Sequence, residues 1–412
     1  MMIKIGTYCS IFFFFFFASC KTLFKKSPYQ TYVLALKNTG LDRTSMGKQW
    51  LSIGENVLAN PNGQLKFPFK EEIFFRQEKP VAIAYQIPYK KSSKIKFSIS
   101  SAGQNGVFVD LFESLEAKKS IMSEYLKDTS FIYENNNDEI IILRLQAHLL
   151  INEHVIVEIV DQPKLGFPVQ NGKNTDIKSF WGVDRENGLR KHEGIDIFNK
   201  RGTPILAVED GIINNVKITN LGGKVVWQRI GLLGPSIYYA HLDSQLVTEG
   251  QRVRKGEVLG LMGNTGNAYS TSPHLHFGIY ASGGAINPID YVFKKDSVPA
   301  KVKSESKYLG EELMVTDKEG IIPIYVIAVS TNNITVRDYK GNILQNDNLN
   351  ISNQKIKLIA DNDVKYFLDE PTNNGVPIGK FEPTENYKVL GFVNSFIYLE
   401  QKNTKGWVLK KR

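Results

Sequence analysis

The chain has 412 residues, 42% of them hydrophobic, with 51 Lys and Arg against 42 Asp and Glu, a formal net charge of +9 and two Cys. That length allows two to four domains, and the apolar fraction is that of ordinary globular protein, so buried cores rather than a disulfide framework must stabilise it. The positive excess suits an anionic polymer or a membrane surface; no basic helix or recognition motif accompanies it, which argues against nucleic acid.

At the N-terminus Lys4 precedes an apolar run from Ile11 to Phe17 that is almost pure Phe and ends in Ala18-Ser19-Cys20. The run is too short for a transmembrane helix, which needs about 20 apolar residues. Small residues after it mark a signal-peptidase site. Ala18-Ser19-Cys20 resembles a bacterial lipobox, with Phe17 where Leu is more usual. The resemblance implies a lipoprotein signal peptide over residues 1–19, lipidation of Cys20, a tether over 20–27, and a protein anchored to a membrane of the bacterial cell envelope by several acyl chains. The alternative is plain secretion with a free Cys.

Residues 28–165 carry short apolar runs, among them Tyr32-Val33-Leu34-Ala35-Leu36, Ile73-Phe74-Phe75, Val81-Ala82-Ile83-Ala84-Tyr85, Val107-Phe108-Val109-Asp110-Leu111 and Ile140-Ile141-Ile142-Leu143. Turn clusters such as Asn60-Pro61-Asn62-Gly63 separate them. About seven strands at this spacing predict a β-sandwich. Residues 113–126 read as a short helix. His148 and His154 read as edge or surface residues, because no acid or His is spaced to partner them.

In Lys191-His192-Glu193-Gly194-Ile195-Asp196-Ile197-Phe198, His192 and Asp196 stand four apart. Gly194 and the β-leaning Ile195, Ile197 and Phe198 predict a loop running into a strand, bending His192 back beside Asp196. His241 follows in Tyr239-Ala240-His241-Leu242-Asp243. Pro273-His274-Leu275-His276-Phe277-Gly278-Ile279-Tyr280 reads as a strand, so His274 and His276 project from one face about 7 Å apart. An isolated His-x-His is usually a pair of surface residues. Here four of the six His fall between positions 192 and 276, and His is expensive to bury without partners. Two His and one carboxylate with an open fourth position make a catalytic zinc set; a structural site would be closed, usually by Cys, and no Cys lies here. The His left over would flank an activated water, as hydrolysis requires.

His192-x-x-x-Asp196, His241 and His274-x-His276 resemble the motifs of the M23 (lysostaphin/LytM-type) zinc endopeptidases. Phe180-Trp181-Gly182, Gly202-Thr203-Pro204, Gly250-Gln251-Arg252-Val253, Gly263-Asn264-Thr265-Gly266 and Asn287-Pro288 resemble the family's flanking segments, so the likeness covers about residues 165–293. It implies one zinc ion on His192, Asp196 and His276, with His241 and His274 as catalytic histidines and peptidoglycan stem peptides as substrate. Ser272 stands where Gly is common and Gly278 where Glu often follows His-x-His-Phe, departures that bear on substrate preference rather than on the ligands. Gly-rich turns such as Leu221-Gly222-Gly223 predict an all-β catalytic domain with a groove between loops; Trp227 reads as a core or covering residue rather than one that stacks on a ligand.

Residues 294–308 are polar and read as a linker. Strands over Ile322 to Val329 and Asn333 to Arg337 follow, then a Lys340-Gly341-Asn342 turn. Lys405-Gly406-Trp407-Val408 resembles the closing strand of a bacterial SH3-like domain, a kind that often binds wall peptides, although Trp407 is equally placed to be core. The sequence thus predicts an all-β chain: a β-sandwich-like domain over 28–165, an M23-type β-sheet catalytic domain with a substrate groove over 166–293, and a β-rich region over 309–412 ending in a small SH3-like barrel. The function expected is a zinc endopeptidase of the cell wall. A non-catalytic regulator of a wall amidase and an envelope wall-binding protein are the alternatives.

Overall fold

The computed structural model describes residues 26–411 apart from 104, 118, 296 and 354–357; Cys20 and the signal-peptide reading lie outside the described residues. The chain is mostly β. It opens, however, with two helices, Pro28–Thr39 and Ser45–Ala59. The run Tyr32 to Leu36, expected as β, lies in the first. Local capping decides this: the Ser27 hydroxyl accepts from Gln30 N, Gln30 Oε1 accepts from Ser27 N, and Pro28 fills the first position, so the free N–H groups of the first turn are satisfied. The second helix packs on a sheet through Trp50, whose indole donates to Ala147 O at 2.9 Å.

That sheet has the order Ala82–Tyr89, Glu139–Ala147, Val107–Phe112, Met122–Leu126. The expected helix over 113–126 is therefore corrected. Residues 122–126 form an edge strand antiparallel to Val107–Phe112, with Val107 opposite Leu126; cross-strand pairing outweighs a weak local helical pattern. The sheet shares one core with a second, which contains Phe69–Phe75, Glu153–Pro163, Ser93–Ser101 and Thr129–Tyr133. His148 is not a plain surface residue: it is half-buried, stacked between Tyr32 and Tyr125 at 4.3 and 4.5 Å. His154 lies 3.4 Å from Glu72.

The second sheet does not stop at the first region. Phe69–Phe75 pairs with Glu153–Pro163 on one side and with Gly320–Ser330 on the other, so Glu71 stands between Val157 and Ser330. Tyr325, Ile327 and Ala328 enter the same core as Ile73, Phe97 and Val157. The C-terminal strands continue this sheet through Lys388–Val393, Phe396–Gln401 and Thr404–Leu409 to Tyr366–Leu368 and Pro377–Lys380. Trp407 is 1% exposed, packed against Tyr398 and Tyr339, and is a core residue.

Between these two partners lies a third region with its own sheet. Its central strands run Gly211–Thr219, Gly223–Arg229, Ser236–Gln245, His274–Ala281, Ile195–Phe198, Ile177–Ser179. Ile195, Ile197, Ile237, Tyr239, Leu275 and Phe277 fill one face and are fully buried. The chain enters and leaves this region at one place, where Leu165 N donates to Tyr291 O at 3.0 Å.

Candidate metal centre and active site

Strand register brings the predicted residues together. Asp196 stands opposite His276, and Phe198 opposite His274, on neighbouring strands; His276 in turn stands opposite Ala240. Directly opposed residues point to the same face. Since Ile195, Ile197, Leu275 and Phe277 face the core, Asp196, His274 and His276 face away from it together. His192 arrives from a small hairpin, Asp184–Arg185 with Arg190–Lys191, as the loop reading expected.

His241 breaks the alternation. In an unbroken strand it would share the core face with Tyr239. Tyr239 and Leu242 are both fully buried and the register with the neighbouring strand shifts here, which is a bulge with one extra residue. The backbone of His241 takes φ = 61°, a region that a side-chain-bearing residue seldom adopts. The turn places its ring 5.0 Å from that of His274 and 6.0 Å from that of His276.

His192 Nε2, Asp196 Oδ1 and His276 Nδ1 form a triangle with each pair 3.0 Å apart. His192 Nδ1 lies 2.9 Å from Phe180 O, so it carries the proton and leaves a lone pair on Nε2. Three lone-pair-bearing atoms thus face one point, and a single proton can satisfy only two of them. A cation satisfies all three. Donors held at about 2.0–2.1 Å from a tetrahedral zinc are separated by roughly 3.3 Å, which this triangle nearly meets. The group could hold one metal ion, and the set of two imidazoles and one carboxylate suits zinc.

Burial works against ionisation of Asp196, but its contacts with the His192 and His276 imidazoles outweigh it and keep the carboxyl well below the usual range. Burial lowers the pKa of His276. It also lowers that of His241, to about 4, with the neighbouring His274 acting in the same direction. The two rings outside the triangle are tethered alike: His241 Nδ1 to Thr265 O at 2.8 Å and His274 Nδ1 to Ser272 O at 2.9 Å. Each is thereby fixed as the Nδ1–H tautomer. Each Nε2 has no protein partner among the described residues and is free to take a proton.

The domain is recognisable. The family model Peptidase family M23 matches residues 190–288. The chain carries an M23 peptidase domain. An uncharacterized metalloprotease of Haemophilus influenzae is 41% identical over 102 residues, 24% of this chain and 21% of that protein. The peptidoglycan DD-endopeptidase ShyC of Vibrio cholerae is 34% identical over 103 residues, 24% of this chain and 22% of that protein. The chain therefore spans about a fifth of the length of these two relatives. Among solved structures, the catalytic domain of lysostaphin from Staphylococcus simulans is 30% identical, covering 29% of this chain and 91% of that one, with a TM-score of 0.26.

The site contains partners that the sequence reading missed. Arg185 Nη2 donates to Asp196 Oδ2 at 2.6 Å and to Ser179 Oγ at 2.7 Å, and Ser179 Oγ lies 3.3 Å from His192 Nδ1. Trp227, read as core or covering, is half-buried and packs at a tilt against Tyr238 and Tyr280, at 4.5 and 5.1 Å between ring centres. This aromatic shelf reaches the triangle, with Tyr238 5.8 Å from the His276 ring. Gly278 makes room for it, since a Cβ there would sit 3.0 Å from the Tyr280 ring. The β-strand spacing of Trp227, Tyr238 and Tyr280 carries no signal that they meet; the signal for Arg185 is only its closeness to His192 in sequence.

Proposed function

We propose that this protein is a zinc metalloendopeptidase that hydrolyses peptide cross-links of bacterial peptidoglycan. The observation that carries the reading is the triangle of His192 Nε2, Asp196 Oδ1 and His276 Nδ1 with two further imidazoles beside it. Those three atoms would hold zinc, which supplies a Lewis acid and makes water more acidic. His241 and His274 each present Nε2 to the site. One such nitrogen accepts the proton of the attacking water; a protonated imidazole donates a hydrogen bond to the oxygen that gains charge at the scissile carbonyl. The shelf of Trp227, Tyr238 and Tyr280 gives the peptide an apolar floor next to the reacting bond.

The reading extends to placement. A lipid on Cys20 would keep the enzyme at the envelope, and the net charge of +9 suits the anionic wall and membrane surfaces there. The strands over 366–409 would form the SH3-like module. The deciding experiment is digestion of isolated sacculi by the purified mature protein, with product masses read before and after chelation and zinc return. Release of cleaved cross-links that stops with the chelator and resumes with zinc supports the enzyme. Intact sacculi with one zinc bound per chain would instead favour the amidase regulator.

A further inference from the structure

We propose a second binding site, away from the M23 domain, that takes a small zwitterion of amino-acid or dipeptide size with a free carboxylate and a free ammonium group. It is a cleft of about 380 Å³ where the N-terminal and C-terminal regions share their sheet. Its lining comes from both, Lys79 from the first and Tyr325, Arg337 and Trp407 from the second.

The chemistry follows from what is and is not paired. Arg337 Nη1 is buried and has no hydrogen-bond partner among the described residues. Arg337 as a whole is half-buried and lines the cleft, and an unpaired N–H costs free energy that an incoming acceptor would offset. Lys79 stands beside it, with no carboxylate at ion-pair distance among the described residues and its ammonium 5.8 Å from the Tyr325 ring centre. The partial burial of Arg337 lowers its pKa. A half-buried Arg and an exposed Lys facing one cleft make a seat for a carboxylate, to which Arg337 can present its planar guanidinium.

A dianion is not what the rest of the lining fits. Asp369 and Glu370 also line the cleft and pair with no Lys or Arg among the described residues. They hold only local contacts, Asp369 Oδ1 to Val376 N and Glu370 Oε1 to Thr372 Oγ1. Glu312 is already engaged by Lys405 and by the Tyr398 hydroxyl. The free carboxylates therefore face the same cleft as the free cations, and a ligand bearing one charge of each sign neutralises both. The half-buried Tyr339 supplies apolar surface between. The volume suits a dipeptide rather than a longer chain, and the site rests on no zinc chemistry.

The test uses the full mature chain with EDTA present, so that turnover contributes nothing, and titrates alanyl-alanine in its L,L and D,D forms by calorimetry. Saturable binding is expected, with at least a tenfold loss for the C-terminal amide and a clear loss for the N-acetyl form. Arg337→Gln should weaken binding at least tenfold with an unchanged melting temperature. Lys79→Gln should also weaken it, and serves alone if Arg337→Gln does not fold. Preference for the D,D form would identify wall peptides as the source, and equal binding would identify peptides in general. Failure of both dipeptides to saturate, or an amide that binds as well as the free acid, overturns the proposal.

Discussion

At the scale of single residues, the proposed function separates holding a metal from using it. His192→Ala, Asp196→Ala and His276→Ala each remove one corner of the triangle, so each should abolish stoichiometric zinc and hydrolysis together, checked by metal analysis of the purified variants. His241→Ala and His274→Ala remove groups outside it. They should keep zinc near one per chain while kcat falls about 10²–10⁴-fold; loss of zinc from His274→Ala would make it a ligand instead. Arg185 acts through Asp196 and is a positioning residue. Partners of this kind typically contribute about 10–100-fold in metal affinity. Arg185→Gln is expected to weaken zinc by that factor in chelator competition, and Arg185→Lys to restore part of it. An unchanged zinc affinity in Arg185→Gln would leave its bond to Asp196 without a role in metal binding.

At the scale of elements, the strand Phe69–Phe75 joins two parts of the molecule and carries a buried acid at its centre. Glu71 is 1% exposed and accepts a hydrogen bond from the Tyr85 hydroxyl at 2.7 Å. Burial pushes its pKa from 4.5 to about 8, against the smaller opposing effect of Tyr85. Between those values the folded chain binds more protons than the unfolded one, so stability falls as pH rises from about 4.5 to about 8 and is flat beyond. The loss is on the order of a few kcal/mol. Glu71→Gln keeps the shape without the ionisation. It should raise the melting temperature at pH 8 more than at pH 5, read by calorimetry at both values. Equal shifts at the two values would mean that Glu71 does not titrate in this window.

For the whole molecule, the shared sheet means that the first and last regions stabilise each other although about 245 residues of sequence separate their paired strands. Removing residues 304–411 strips Gly320–Ser330 from the edge of Phe69–Phe75 and takes Tyr325, Ile327 and Ala328 out of its core. An exposed strand edge and an opened core both favour aggregation. The truncated chain should show fast hydrogen exchange in 69–75 and 153–163, with protection kept in the M23 core around Ile195, Tyr239 and Phe277. Equal protection in both would show that the regions are independent.

The sequence by itself pointed to the residues of the triangle and to most of the strands. Period-two placement put His274 and His276 on one face, and Gly194 with its β-leaning neighbours argued for a loop into a strand. Those are local properties, set by side-chain alternation and backbone freedom. The helix over Pro28–Thr39 was also written locally, in Ser27-Pro28-Tyr29-Gln30, but its apolar run Tyr32 to Leu36 reads equally well as a strand. Only the tertiary structure decided the rest. The bulge that turns His241 out of the core depends on register with its neighbour strand. The bond from Arg185 to Asp196, the shelf under Tyr238 and the pairing of Phe69–Phe75 with Gly320–Ser330 join residues whose separation in sequence carries no period. Such contacts are fixed by which surfaces find each other when apolar faces are buried, and no single segment encodes that choice.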